Sequence, residues 1–93
     1  MAKGAKLKAF VLLPQAEKDF DFWQKHNPKK LDRIRDLIEA SMIDPENGIG
    51  KPEILRYFKQ QTFSRRIDGQ HRMIYSVEGD RLIIHQLRYH YQK

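Results

Sequence analysis

Ninety-three residues without a cysteine predict one small domain with a single modest core, and they exclude disulfides and thiolate metal sites. No apolar run approaches the roughly 20 residues of a membrane-spanning helix. The run after the basic start is also too short for a signal peptide, so the chain reads as a cytoplasmic protein with no membrane association and a frayed basic tail over residues 1–6. The formal charge of +6 sits mostly after Glu46, where 9 Lys+Arg face 4 Asp+Glu, against 9 and 8 before it; this favours a polyanionic partner over a merely basic surface.

Lys8 to Leu13 (KAFVLL) predicts a first strand. Pro14 then suits the first turn of a helix, where its missing N–H is no loss. Ala16, Phe20 and Trp23 fall at i, i+4 and i+7 as an inward stripe, with Glu17, Asp19 and Asp21 filling much of the rest. Asn27-Pro28 breaks this helix and starts a second, to about Met42, whose buried stripe is Leu31, Ile34, Ile38 and Met42 with Leu37 beside it. Asp44 to Pro52 holds two prolines and two glycines in nine residues and reads as a loop. Ile54 to Tyr57 predicts a short second strand and Phe63 to Ile67 a third; His71 to Tyr91 predicts two more, joined at Gly79-Asp80. The order β-α-α-β-β-β-β predicts an α+β fold, with two N-terminal helices on one face of a curved, mainly antiparallel sheet, in a single domain over residues 1–93.

The hairpins decide what meets at the basic end of this sheet. A two-residue Asp68-Gly69 loop pairs Arg65 with Arg72; a slip of one residue puts Arg66 opposite Arg72 instead. Either register crowds guanidiniums, which is explained if the natural occupant is an anion, or if the long side chains splay into water. At the second turn, a two-residue Gly79-Asp80 loop puts Arg72 and His90 on opposite faces, whereas a three-residue loop puts them on the same face. Sequence leaves both open.

Of the four histidines, His26, His71, His85 and His90, none shows a metal-ligand spacing, and His85 in mid-strand reads as structural. His90 lies at the end between two tyrosines, where it can titrate near neutrality and donate a proton. A carboxylate, arginines and a histidine without a metal suffice for RNA, because the substrate supplies its own nucleophile, the 2′-OH. A base deprotonates it, a cation stabilises the phosphorane, an acid protonates the leaving 5′ oxygen, and tyrosines stack on unpaired bases.

Gly50-Lys51-Pro52-Glu53-Ile54-Leu55, Phe63-Ser64-Arg65-Arg66-Ile67, His71-Arg72-Met73-Ile74-Tyr75 and Arg88-Tyr89-His90-Tyr91 together resemble the YoeB (Txe) family, RelE-like toxins of bacterial type II toxin–antitoxin systems. The resemblance runs from about Leu7 to Tyr91, and the combination is far more specific than any one piece. It departs from the family between Leu55 and Phe63, where the family's glycine is missing and Phe63 stands for its tryptophan. The resemblance implies ribosome-dependent mRNA cleavage, with Glu53 as general base, Arg72 as phosphate stabiliser, His90 as general acid and Tyr91 assisting. Lys51, Arg56, Arg65, Arg66 and Arg88 are the candidate RNA contacts, and no cofactor is expected. The implied partners are a YefM-like antitoxin, the 70S ribosome with its mRNA, a second copy in a homodimer, and operator DNA only through the antitoxin complex. The rival is a non-catalytic basic module that binds RNA or DNA, or merely docks an acidic antitoxin. Glu53 separates the two, since a binder gains nothing from a carboxylate beside phosphate.

Overall fold

The structure is a computed structural model that describes residues 7–56 and 59–89. The expected basic tail, Tyr57 at the end of the expected second strand, and His90 and Tyr91 lie outside the described residues. Strand β1 (Ala9–Leu12) leads through an extended Leu13 into helix α1 (Pro14–His26), with Pro14 at its first position. Asn27 closes α1 by donating its N–H to Trp23 O at 2.8 Å, and the same residue precedes Pro28 at the start of α2 (Pro28–Ile43). One residue therefore ends one helix and begins the next. Strands β2 (Glu53–Leu55), β3 (Thr62–Arg66), β4 (Arg72–Glu78) and β5 (Arg81–Gln86) follow.

The five strands form one sheet in the order β1-β5-β4-β3-β2. The last four make an antiparallel meander, as short turns require. β1 is the exception, lying parallel to β5. A parallel neighbour needs a long crossover, and here everything from α1 to β4 provides it. The first strand thus borders the last, and β2 is left at the opposite edge.

Alternation along the strands sends Phe63, Met73, Tyr75, Leu82 and Ile84 toward the helices, where they meet Ala16, Trp23, Leu31, Ile34, Leu37 and Ile38. The apolar stripes read from helical spacing are the buried ones. Phe20 and Met42 are partly buried at the rim. The same stripe carries a residue that polarity alone had assigned to solvent: Asp19 is buried. It lies three residues after Ala16 and four before Trp23, so helical geometry turns it inward.

Two turns set the register. The β3–β4 loop has three residues, Asp68 to Gln70, and pairs Arg66 with Arg72. Asp68 Oδ1 accepts from the N–H groups of Gln70 and His71, both at 2.7 Å, so its side chain closes the turn. The β4–β5 loop is the two-residue Gly79-Asp80 turn between Glu78 and Arg81, with Gly79 at φ 64. Tyr75 pairs with Ile84 but Ile74 with Gln86, so His85 is an extra residue on β5. This bulge reverses the alternation beyond it. Leu87 consequently joins the core, fully buried.

Candidate functional site

The face of the sheet away from the helices carries the polar residues of the central strands. Glu53 pairs with Ser64 across β2 and β3, Ser64 with Ile74, and Arg66 with Arg72 across β3 and β4. Paired residues share a face, so Glu53, Ser64, Arg66 and Arg72 gather there. Arg72 Nη1 donates to Ser64 Oγ at 3.0 Å and reaches Glu53 Oε1 at 3.4 Å. The Arg72 side chain is largely enclosed and that of Glu53 is half exposed, at 16% and 56%. The guanidinium is thus held by a neutral hydroxyl and only loosely engaged by the carboxylate. An incoming anion can compete for the cation without leaving a buried carboxylate stranded.

Of the two registers the sequence allowed, the structure has the one that puts Arg66 opposite Arg72, and the neighbouring arginine is turned away from that pair. Arg65 was expected among the RNA contacts, but it lies on the helix side and is fully buried. Its Nε donates to Tyr75 Oη at 2.8 Å, Nη1 to Ile49 O at 2.7 Å, and Nη2 to Asp44 O at 2.6 Å and Asn47 O at 2.8 Å. Tyr75 Oη in turn donates to Pro45 O at 2.6 Å, and burial pushes its phenol up against the pull of Arg65. The loop from Asp44 to Pro52 therefore wraps its carbonyls around one cation, which cannot also bind RNA. Gly50 completes the wrapping: at φ 84 it lies so close that an added Cβ would meet Leu37 at 2.8 Å and Arg65 Cβ at 3.1 Å. Arg66 N–H donates to Gly50 O at 2.7 Å. These contacts fix the loop three residues before Glu53, so Arg65 supports the site from behind.

A second set of contacts anchors the chain after β5. Leu87 N–H donates to Asp19 Oδ2 at 2.8 Å, and Leu87 O accepts from Trp23 Nε1 at 2.9 Å. Both polar groups of one peptide segment are thus held by α1. Tyr89 N–H donates to His71 Nδ1 at 2.7 Å, so in this arrangement Nδ1 carries no proton. His71 also stands edge-on to Trp23, with ring centroids 4.9 Å apart. Tyr89 has φ 65 and its carbonyl accepts from Arg72 N–H at 3.1 Å. The backbone that leads into His90 is therefore tied to the strand that carries Arg72. The turn is the two-residue one, and what it implied for the faces of Arg72 and His90 falls on a residue beyond those described. His90 and Tyr91 themselves lie outside the described residues.

The remaining cations divide. Lys51, at φ 50, and Arg56 are exposed on either side of Glu53, and Arg66 is exposed on the outer face. Arg88 is held elsewhere: its guanidinium lies 3.5 Å from the Phe22 ring centre and donates to Tyr89 Oη at 2.7 Å. Sequence reasoning missed Ser64, because a lone serine before two arginines has no signature, and it missed Asp19 and Trp23 as clamps. Asp19 was detectable as a carboxylate inside an apolar helical stripe. Among the described residues no group of three or more His, Asp or Glu side chains could hold a metal ion.

Comparison with known proteins gives the family of the chain. The YoeB-like toxins of bacterial type II toxin–antitoxin systems match residues 13–91. The Toxin YoeB of Synechocystis is 41% identical over 75 residues, covering 81% of this chain and 87% of that protein. The structure of the YoeB dimer from Staphylococcus aureus superposes with a TM-score of 0.84 at 31% identity, over 91% of this chain and 99% of that one. The toxin–antitoxin heterotetramer YoeB-YefM from the same organism gives 0.81 at 33%, over 94% and 100%. Likeness in sequence over most of the chain and in fold over nearly all of it agree: this chain belongs to the YoeB-like toxins of bacterial type II toxin–antitoxin systems.

Proposed function

We propose that this toxin is a metal-independent endoribonuclease that cuts mRNA on the translating ribosome. The observation that carries the reading is the placement of the Glu53 carboxylate 3.4 Å from the Arg72 guanidinium on the outer face, with Ser64 orienting the arginine. Glu53 takes the proton of the 2′-OH, and the freed oxygen attacks the adjacent phosphorus. Arg72 shifts from the carboxylate to the phosphorane, whose charge it stabilises. The bond to the 5′ oxygen breaks, and that oxygen takes a proton from His90, with Tyr91 assisting. The products are a 2′,3′-cyclic phosphate and a 5′-OH. Arg66, Lys51 and Arg56 supply the salt-dependent attraction to the RNA backbone. A YefM-like antitoxin segment of acidic character fits the same basic face and would hold the toxin inactive in a complex; assembly as a dimer and operator binding through the antitoxin belong to the same reading.

The test is cleavage of a ribosome-bound mRNA by Glu53→Gln. The substitution keeps shape and removes the base, so the single-turnover rate should fall by about 10²–10⁴-fold. A single 2′-deoxy nucleotide at the cut site should block cleavage there. Products with a 5′-phosphate, or an undiminished rate for Glu53→Gln, would replace this reading with that of a non-catalytic binding module.

A further inference from the structure

Beyond the Glu53–Arg72 pair, the outer face holds a second polar group. Ser76 pairs with Thr62 on β3 and with Ile83 on β5. Its Oγ lies 2.9 Å from His85 Nε2 and accepts from Gln60 Nε2 at 3.3 Å. Gln60 is itself placed by Thr62, whose Oγ1 donates to Gln60 O at 3.0 Å. These three side chains border a cavity of about 260 Å³ that is completed by Leu13, Val77, Glu78 and Ile83. The bulge that reverses the end of β5 is His85 itself, so the residue that breaks the ladder also enters this cavity. Ladder geometry accounts for none of the polar set: a serine and a histidine from two strands and a glutamine from the preceding loop meet at one cavity.

The location ties the cavity to the site. Arg72 Nη1 is held at Ser64, which pairs with Ile74. Ser76 is the next residue on that face, two positions along β4, a step of roughly 7 Å. One ribose spans such a gap between its phosphate and its base. The volume suits one planar heterocycle; drug-sized ligands need roughly 300–1,000 Å³. Leu13 and Ile83 offer apolar contact to a ring, while a hydroxyl, an amide and an imidazole offer both donors and acceptors to its edge. Burial lowers the His85 pKa, so the ring is neutral at pH 7 and keeps both roles. Glu78, ion-paired to Arg81 at 3.2 Å, adds a carboxylate at the margin. A carboxylate accepts from an exocyclic amino group, which adenine, guanine and cytosine carry and uracil lacks.

We propose that the Gln60–Ser76–His85 cavity is a nucleobase subsite that takes one unstacked base beside the phosphate held by Arg72, and that it discriminates against uracil. The inference rests on the endoribonuclease reading for its place in catalysis, but base binding can be tested separately.

Two measurements do so. In the first, AMP, GMP, CMP and UMP are each titrated into the wild-type toxin and the imidazole resonances of His85 are followed by NMR. The three amino-bearing nucleotides should shift His85 at lower concentration than UMP does; Gln60→Ala, a change on an exposed loop, should weaken their effect. An unmoved His85, or equal effects of all four, would overturn the subsite. In the second, cut positions on translated mRNA are mapped for wild type, Gln60→Ala, Ser76→Ala and His85→Phe. Each folded variant should lose about 2–10-fold of its base preference, the worth of one hydrogen bond, while cleavage summed over all positions changes less. Preference unchanged in all three variants would also overturn the subsite. A toxin that binds nucleotides at His85 but cuts no RNA would leave the subsite standing and remove the endoribonuclease reading instead.

Discussion

The two faces of the central strands use the same residue type in opposite ways, and Arg65 and Arg66 show it in adjacent positions. Arg65 points to the helix side and is fully enclosed, with four oxygens around its guanidinium. Arg66 points to the outer face, is exposed, and lies opposite Arg72. One arginine organises a loop; the other is free to meet a polyanion. The helix side therefore is not simply an apolar core, and the outer face is not simply a charged surface. The loop that delivers Glu53 is built on one side of the sheet so that its carboxylate can stand on the other.

The largest test of this contrast is Arg65→Ala against Arg66→Ala. Loss of Arg65 strands the carbonyls of Asn47 and Ile49 and opens a cavity, so unfolding free energy in urea should drop by about 3–5 kcal/mol. Arg65→Lys should recover little of it, because an ammonium cannot match the fork. Arg66→Ala should stay within about 0.5 kcal/mol of wild type and instead weaken RNA binding most at low salt. Equal stability losses at the two positions would erase the distinction between the faces.

An intermediate effect is expected where α1 holds the chain after β5. Trp23→Phe keeps most of the ring but removes the donor to Leu87 O, leaving a buried carbonyl unpaired. Stability should fall by about 1–3 kcal/mol, and hydrogen exchange at Leu87 and Tyr89 should quicken more than at β4. Uniform quickening across the sheet would show that Trp23 matters only to the core.

The smallest effect concerns the β3–β4 turn and its pH dependence. Burial alone would raise the Asp68 pKa, but Lys30 at 2.7 Å and the N–H groups of Gln70 and His71 outweigh it and hold the carboxyl below its usual range. A lowered native pKa contributes stability that is complete above the ordinary carboxylate range and disappears as pH falls through the native value. Asp68→Asn should therefore cost roughly 0.2–1 kcal/mol at pH 7, and the gap to wild type should close in acid. A gap constant with pH would mean that Lys30 adds nothing through charge.

Helical spacing, the Asn27-Pro28 break and the alternating strands made the order of elements and most of the buried stripes legible, because those signals are local. Glu53 and Arg72 could be named from sequence, and the structure brings them together. Three features were decided by tertiary structure. Both β3–β4 registers were compatible with the turn residues, and the loop carbonyls that can solvate a buried guanidinium select the one that turns Arg65 inward. The bulge at His85 has no turn signal; it lets Leu87 reach the core and the Asp19–Trp23 clamp. The parallel pairing of β1 with β5 joins segments from opposite ends of the chain. In the first two cases a one-residue shift in a ladder changes which face a side chain meets, and in all three the deciding partners lie more than fifteen positions away, where no local pattern records them.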